Sequence, residues 1–143
     1  MPQAIGDDVF RSRIRVYWED TDAGGIVFYA NYLKYFERAR TEWLRAAGFS
    51  QQQLRVDRQV MFIVAETRVR YLLPARLDDE LEISVVRIDG GRVGMGLAQQ
   101  AWRIGDDGQP QQLLCEGEIR IACVDAGTFR PCRIPNDLLD ALE

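Results

Sequence analysis

One long helical pattern, in a chain that otherwise shows strand patterns, is the feature that most restricts the possible fold. Between Ala30 and Ala47, apolar residues recur at three- and four-residue spacing, which places them on one wide stripe of a helix. The stripe consists of Tyr32, Leu33, Phe36, Ala39, Trp43, Leu44 and Ala47. Gly48 follows at the position where a left-handed residue commonly ends a helix. A helix with so wide an apolar side has to be covered by other elements, so we expect it to form the core.

Strand patterns surround this helix, one before it and four after it. They run from about Val9 to Trp18, Val60 to Leu73, Leu81 to Val86, Val93 to Ile104 and Leu113 to Val124. Turn signals such as Asp89-Gly90-Gly91 join consecutive patterns and favour antiparallel hairpins. No internal repeat or linker divides residues 1–143, so we expect a single domain. The order predicts an α+β domain in which a five-stranded antiparallel sheet wraps around one long central helix.

Three smaller signals refine this prediction. Ser50 and Gln53 match the capping box of a short second helix. Gly117 lies inside the last strand pattern and indicates either a bulge or a close backbone neighbour. Asn136 is expected to cap a short helix near the C-terminus.

The complete absence of histidine excludes several kinds of catalytic site. Ser-His-Asp triads, Cys-His dyads and the common zinc sites that use histidine all need an imidazole. The cysteines Cys115, Cys123 and Cys132 are odd in number and lack metal-ligand spacing, so buried free thiols are the favoured interpretation. Acid–base chemistry must therefore come from Asp, Glu, Tyr, Lys or Cys side chains, and we expect neither a metal nor a cofactor.

Charge and hydropathy restrict the partners and the location of the protein. A formal net charge of −4 and the lack of a concentrated basic run argue against nucleic-acid binding. The apolar runs are too short to form a transmembrane segment, and the first residues begin no secretory signal. We therefore expect a cytoplasmic protein.

The residues between the first strand pattern and the helix carry the strongest indication of chemistry. The acids Glu19, Asp20 and Asp22 precede two glycines, Gly24 and Gly25, and then four large hydrophobic residues. Glycines allow positive φ angles and a close approach of a ligand to the backbone. A helix that begins just downstream offers unpaired N–H groups and a partial positive charge. A carboxylate, a glycine pair and a helix N-terminus can together hold and attack a polarised carbonyl.

This stretch also resembles a known family. Tyr-Trp-Glu-Asp-Thr-Asp-Ala-Gly-Gly-Ile-Val-Phe-Tyr at residues 17–29 continues through residues 31–42, and Val69-Arg70-Tyr71 and Pro74-Ala75-Arg76-Leu77-Asp78-Asp79 support the match. From about Arg13 to Arg133 the chain resembles the hotdog-fold acyl-CoA thioesterases of the 4-hydroxybenzoyl-CoA thioesterase type. It is most similar to the bacterial branch associated with the Tol–Pal cell-envelope system. The family fold, a five-stranded antiparallel sheet wrapped around one long helix, agrees with the predicted order of elements.

The resemblance implies a set of site residues and an acyl-CoA substrate. The catalytic carboxylate corresponds to Asp22, and the backbone N–H that binds the oxyanion corresponds to that of Tyr29. We expect the substrate to contact the residues between them, which are Gly24, Gly25, Ile26, Val27 and Phe28. Members of the family form homodimers, often paired into homotetramers, with active sites at the subunit interface. Many enzymes of the Tol–Pal branch carry a Tyr-His pair where this chain has Phe28-Tyr29, and the hydroxybenzoyl branch has an aromatic-Tyr pair there.

Several alternatives stay open on sequence grounds. Asp is also favoured in turns and caps, so Asp22 and the two glycines can have a purely structural role. A catalytic Asp22 acts either as a general base on water or as a nucleophile that forms a mixed anhydride. Other functions to weigh are an acyl-carrier-protein thioesterase, a hydratase or dehydratase, and a non-catalytic acyl-binding or scaffold module of the cell envelope. Hydratases of this fold typically pair an acid with histidine, which this chain lacks.

Overall fold

The computed structural model describes residues 9–142, and its elements follow the predicted order. The strands are β1 (Phe10–Arg15), β2 (Val60–Tyr71), β3 (Glu80–Gly90), β4 (Gly94–Ile104) and β5 (Pro110–Asp125). The helices are α1 (Asn31–Ala46), α2 (Gln51–Gln53) and α3 (Asn136–Ala141), with a 3₁₀ turn at Trp18–Asp20 and a π-helical turn at Leu54–Arg58. The α+β architecture is confirmed. None of the helices in the described range is both long and apolar enough to cross a membrane.

The five strands form one antiparallel sheet in the order β1-β3-β4-β5-β2. Strands β3, β4 and β5 follow one another as hairpins in the middle of the sheet. Strands β1 and β2 lie at the two edges, and the connection between them carries α1 across one face. The loop before α1 and the connection from β2 to β3 therefore meet at the same end of the sheet, where Ile26 forms an isolated antiparallel bridge with Arg76.

Helix α1 supplies the centre of the core, as predicted, but the buried stripe differs from the predicted one: Leu33 is 42% exposed, and Tyr35, which lies outside the predicted stripe, is buried. Tyr35, Phe36 and Ala39 are at most 2% exposed and belong to the same cluster as the inward-facing side chains of the sheet. The helix ends in a left-handed cap: Gly48 has a φ of +93°, and Phe49 N–H donates to the Leu44 carbonyl at 3.0 Å. Both the position of the cap and its glycine were predicted from the sequence.

Gly117 allows α1 to approach the sheet closely. A Cβ at this position would lie 3.1 Å from the Arg68 carbonyl oxygen and 3.2 Å from the Phe36 ring. The pairing of Gly117 with Val69 on one side and Gln99 on the other is regular. Of the two predicted roles, the close neighbour is confirmed and the bulge is wrong.

Strand β1 is shorter than its alternating pattern indicates. It ends at Arg15 rather than near Trp18. The segment opposite β1, just before β3, turns at Asp78, which has a φ of +71°. The regular pairing of β1 with β3 therefore ends at Arg15 and Glu80. The residues after Arg15 form the 3₁₀ turn instead, and this turn places the acidic stretch at the end of the sheet.

The ends of two other elements also differ from the prediction. Strand β5 begins at Pro110, before the predicted Leu113, because the preceding turn brings Pro110 opposite Ile104. Asn136 is the first helical residue of α3 and Pro135 occupies the cap position, without a side-chain capping bond. The prediction that Asn136 is the cap was therefore wrong by one residue. For the second helix, Gln53 N–H donates to Ser50 Oγ at 3.1 Å, as predicted.

Candidate active site

The acidic-glycine stretch folds into a small hairpin whose two sides are joined by an isolated bridge between Thr21 and Val27. Within it, Asp22 N–H donates to the Ile26 carbonyl at 2.9 Å, and Phe28 N–H donates to the Asp20 carbonyl at 3.0 Å. The turn itself is closed by Gly25, whose N–H donates to the Asp22 carbonyl at 3.1 Å. The hairpin therefore sets Asp22 at the tip and the residues before α1 at the returning end.

Of the two glycines, Gly25 is the one whose backbone conformation requires glycine. Its φ is +78°, in the left-handed region that side chains with a Cβ rarely adopt. Gly24 has an ordinary φ, and its N–H donates to Asp22 Oδ1 at 2.8 Å. A Cβ on Gly24 would lie 3.2 Å from that oxygen, so the absence of a side chain leaves space beside the carboxylate.

The hairpin is fixed to the connection between β2 and β3. Val27 N–H donates to the Ala75 carbonyl at 2.9 Å, and Leu77 N–H donates to the Gly25 carbonyl at 3.3 Å. In return, Ala75 N–H donates to the Tyr32 hydroxyl at 3.0 Å, so α1 holds this connection as well. A local sequence motif is thus held in place by a segment more than forty residues further along the chain.

Two backbone donors are free where α1 begins. Asn31 N–H donates to the Phe28 carbonyl at 2.8 Å, and Ala30 is the capping residue. The N–H groups of Tyr29 and Ala30 have no hydrogen-bond acceptor among residues 9–142. Unpaired N–H groups at a helix N-terminus attract negative charge, which the helix dipole reinforces. This end of α1 is therefore suited to bind an oxyanion.

Aromatic side chains surround these donors. The Tyr29 ring lies 4.9 Å from the Phe28 ring and meets the Tyr71 ring edge-on at 6.0 Å, measured between centroids. Tyr71 in turn lies 5.6 Å from Tyr32, and burial, as the largest contribution, raises the pKa of both phenols. The four rings thus form one aromatic cluster that joins the end of the hairpin to α1 and β2.

The residues predicted to contact a substrate divide into two groups. The side chains of Asp22, Ile26, Phe28 and Tyr29 are exposed at the surface of the hairpin, with Phe28 at 45% and Tyr29 at 63%. Val27 is only 4% exposed and belongs to the core, so its side chain supports the hairpin from below. Within the described range no three Cys, Asp or Glu side chains are grouped in a way that could hold a metal ion.

The sequence alone assigned no function to three residues of the site. They are Asn31, Tyr35 and Ala75, which connect the hairpin to α1 and to the β2–β3 connection. Asn31 Nδ2 donates to the Asp20 carbonyl at 2.7 Å. Asn31 begins the second part of the family motif at residues 31–42, but the motif by itself assigned it no role. Ala75 acts through its backbone, which leaves no signal in the side chain.

Comparison with known proteins identifies the group to which these features belong. The profile of the thioesterase-like superfamily matches residues 16–142. The acyl-CoA thioesterase YbgC of Haemophilus influenzae is 38% identical over 134 residues, which cover 92% of this chain and 93% of the relative. The acyl-CoA thioester hydrolase YbgC of Escherichia coli O157:H7 is 40% identical over 131 residues, with coverage of 92% and 93%.

The fold agrees with a solved structure of more distant sequence. A 4-hydroxybenzoyl-CoA thioesterase with an Asp-to-Asn substitution, in complex with 4-hydroxybenzoyl-CoA, superimposes with a TM-score of 0.86. The match covers 94% of this chain and 99% of that protein at 19% identity. At this sequence identity the comparison shows that the two proteins share a fold.

Proposed function

The chain belongs to the thioesterase-like superfamily, and on this premise we propose that it hydrolyses the thioester of an acyl-CoA with Asp22 as the general base or nucleophile. Relatives of 38% and 40% identity are named acyl-CoA thioester hydrolases, and they align over nearly the whole chain. The enzyme class is therefore thioester hydrolase. The residues and the route of the reaction are our proposal.

One observation carries the assignment of Asp22. The exposed Asp22 carboxylate and the unpaired N–H groups of Tyr29 and Ala30 belong to a single hairpin that two bridges fix in place. A carboxylate supplies a base or a nucleophile, and preorganised N–H donors stabilise a developing oxyanion. Hydrolysis of a thioester needs these two functions, and the thiolate is a good enough leaving group that no strong general acid is required.

Two routes are consistent with this arrangement. In the first, the Asp22 carboxylate takes a proton from water while the water oxygen bonds to the thioester carbon. The carbonyl oxygen becomes an oxyanion that accepts from the Tyr29 N–H, and the C–S bond then breaks to release the CoA thiolate. In the second route the carboxylate oxygen itself attacks, expels the thiolate and leaves a mixed anhydride, which water hydrolyses to the acid.

We assign substrate contact to the exposed part of the hairpin. Gly24 leaves room beside the carboxylate, and Gly25 holds the turn. Ile26 and Phe28 present exposed apolar side chains on the same hairpin as the free N–H groups, and we assign them to the surface that an acyl group covers when its carbonyl reaches those groups. Val27 supports this surface from the core. The 4-hydroxybenzoyl-CoA complex of the structural neighbour supports a CoA thioester as ligand for the fold.

We also propose that the active protein is a homodimer or homotetramer. The edge strand β2 exposes Ile63, Val64 and Tyr71, which are 39%, 48% and 46% accessible in one protomer. An exposed edge strand with apolar side chains tends to pair with another chain. Analytical ultracentrifugation tests this directly, since a monomer at micromolar concentration would contradict it. The cytoplasmic location and the association with the Tol–Pal system are further proposals, which fractionation and co-purification of the tagged protein test.

Thiol release from a panel of aliphatic and aromatic acyl-CoAs, measured for wild type and Asp22→Asn, tests the main proposal. Loss of a catalytic base typically reduces turnover by about a hundredfold or more, and we expect a reduction of this size. Glu19→Gln is the matched control, because Glu19 is an exposed acid three residues away for which the structure shows no hydrogen bond. We expect it to retain wild-type turnover.

Other outcomes would redirect the assignment. Wild-type turnover in Asp22→Asn would show that another group performs the catalysis. If wild type releases no thiol from any CoA thioester but acts on the thioester of an acyl carrier protein, the carrier is wrong and the chemistry holds. Binding of acyl thioesters without release from either carrier would indicate the non-catalytic module.

A further inference from the structure

Asp20 is the most extensively bonded residue of the hairpin, although the proposed mechanism does not use it. Its carbonyl accepts from Phe28 N–H at 3.0 Å and from Asn31 Nδ2 at 2.7 Å. Its carboxylate oxygen Oδ2 accepts from Tyr17 N–H at 2.9 Å. Asp20, the last residue of the 3₁₀ turn, is therefore linked to the residue before that turn, to the returning end of the hairpin and to the first residue of α1.

A second side chain of α1 faces Asp20. Tyr35 lies one turn after Asn31, is 1% exposed, and its hydroxyl makes no hydrogen bond of normal geometry within residues 9–142. Burial, followed by the neighbouring Asp20 carboxylate, raises the pKa of this phenol. A buried hydroxyl without a partner is rare in folded proteins because its desolvation is not compensated. The carboxylate of Asp20 is the charged group that acts most strongly on this hydroxyl, although the two form no hydrogen bond of normal geometry.

The first turn of α1 thus holds both sides of the hairpin. Asn31 and Tyr35 lie at i and i+4 on one side of the helix and face Asp20. Tyr32 lies between them in sequence, accepts from Ala75 N–H, and meets the Tyr35 ring edge-on at 5.9 Å. Asp20 is only two residues from Asp22, and Thr21 between them is fixed by a bond from its Oγ1 to the Trp18 carbonyl at 2.9 Å. A displacement of Asp20 is therefore transmitted to Asp22.

We propose that Asn31 and Tyr35 are positioning residues that act through Asp20 to fix the Asp22 carboxylate relative to the N–H groups preceding α1. The inference rests on the proposed function and extends it to residues that do not touch the substrate. Asn31 supplies the bond that joins the hairpin to α1. Tyr35 places a buried hydroxyl dipole under the influence of the Asp20 carboxylate without a full hydrogen bond, and this interaction favours the orientation in which the carboxylate holds Tyr17 N–H.

The test compares kcat, KM and the melting temperature of Asn31→Ala, Asn31→Asp, Tyr35→Phe and the control Thr41→Ala. Misplacement of a catalytic group by a fraction of an ångström lowers turnover strongly, and we expect kcat to fall about tenfold in the three site variants. KM should stay within about twofold, because no substrate contact is removed. Asn31→Asp keeps the shape of the side chain but replaces the N–H donor with a charged oxygen that repels the Asp20 carbonyl, so its kcat should fall at least as far as that of Asn31→Ala. Thr41 is on the same helix, and its hydroxyl bonds to Glu37 at 3.2 Å at the surface.

The melting temperature separates positioning from a merely structural role. Tyr35→Phe removes an unpaired buried hydroxyl, so the melting temperature should stay the same or rise while kcat falls. The double variant Asn31→Ala/Tyr35→Phe should lose less than the product of the two single effects, because both act through Asp20. Wild-type kcat in Asn31→Ala and Tyr35→Phe would overturn the inference. The inference would also be overturned if kcat fell only in variants whose melting temperature falls in proportion.

Asp22→Asn in the same assay distinguishes the two proposals. If Asp22→Asn loses turnover while Asn31→Ala and Tyr35→Phe retain it, the proposed function holds and the positioning role is wrong. If Asp22→Asn retains turnover, the proposed function itself is wrong and the positioning role is rejected with it.

Discussion

The hydroxyl of Tyr32 accepts a hydrogen bond from the backbone N–H of Ala75 at 3.0 Å, with 3% and 0% of the two residues exposed. This bond joins the first turn of α1 to the connection between β2 and β3. The carbonyl of Ala75 also takes part, because it accepts a hydrogen bond from Val27 N–H of the hairpin. One buried residue therefore connects the central helix with the loop that carries the candidate active site.

Tyr32→Phe tests the importance of this connection. The substitution keeps the ring and leaves a buried backbone N–H without a partner, which costs about 1–3 kcal/mol of unfolding free energy. Urea unfolding measures the loss. Tyr71→Phe is the matched control, because Tyr71 is 46% exposed and its hydroxyl makes no hydrogen bond that the structure shows. Equal stability of Tyr32→Phe and wild type would contradict the role of the bond.

Gly25→Ala is expected to impair both stability and turnover. A Cβ at Gly25 meets no atom within 4 Å, so the cost comes from the φ of +78° alone. Residues with a Cβ pay about 1–2 kcal/mol in this region, and relief of the strain would move the Asp22 turn that Gly25 closes. Gly91→Ala is the control, since Gly91 has equal space and no positive φ. Identical thermal melts and kcat values for the two variants would refute the prediction.

Gly117→Ala is expected to separate α1 from the sheet. The added methyl group would lie 3.2 Å from the Phe36 ring, and overpacking of a core typically costs about 1–3 kcal/mol. The Phe36→Leu background should reduce this cost, because the ring that causes the collision is then absent. A double-mutant cycle by chemical denaturation measures the coupling. Strict additivity of the two substitutions would show that the contact with Arg68 dominates.

Because the pKa of the Cys115 thiol is raised, we expect the stability of the protein to change at alkaline pH. Cys115 is 0% exposed, and burial, followed by the nearby Glu116 charge, raises its pKa from 9.0 to about 12. Between these values the unfolded chain releases a proton that the folded chain retains, so the unfolding free energy falls as the pH rises. The slope for one such thiol is about 1.4 kcal/mol per pH unit. Below pH 9 the thiol is protonated in both states and contributes no pH dependence.

The Cys115→Ala variant isolates this contribution. The unfolding free energies of wild type and variant are measured by urea unfolding at several pH values between 8 and 10.5. Above pH 9 the unfolding free energy of the variant should fall less steeply with pH, by the contribution of one proton. The cavity that the alanine leaves in the core adds a destabilisation that does not depend on pH, and the change in slope above pH 9 is superimposed on it. Parallel curves over the whole range would mean that Cys115 does not titrate with the unfolding transition.

The central elements were predictable from the sequence because they depend on contacts close together along the chain. The stripe of α1 repeats every three to four residues, and its glycine cap needs only a local left-handed conformation. The hairpins of β3, β4 and β5 follow from turn residues between alternating segments. The motif from Glu19 to Tyr29 is likewise continuous, which is why Asp22 and the two glycines could be selected without a structure.

The boundaries that differ from the prediction depend on distant residues. The alternation of β1 continues to Trp18, yet the strand ends at Arg15 because the chain opposite it turns at Asp78. No pattern within β1 contains that information. The role of Gly117 was ambiguous for the same reason, since only the position of the Phe36 ring distinguishes a close contact from a bulge.

The sequence by itself thus determined the elements, their order and the stretch that carries the chemistry, because each is a property of consecutive residues. The tertiary structure decided how that stretch is held: the Ala75 backbone bonds to Tyr32 and to Val27 of the hairpin, and the Asn31 amide bonds to the Asp20 carbonyl. Backbone groups and buried hydroxyls form these contacts across distant parts of the chain. Their pairing is set by the packing of α1 against the sheet, which no local pattern specifies.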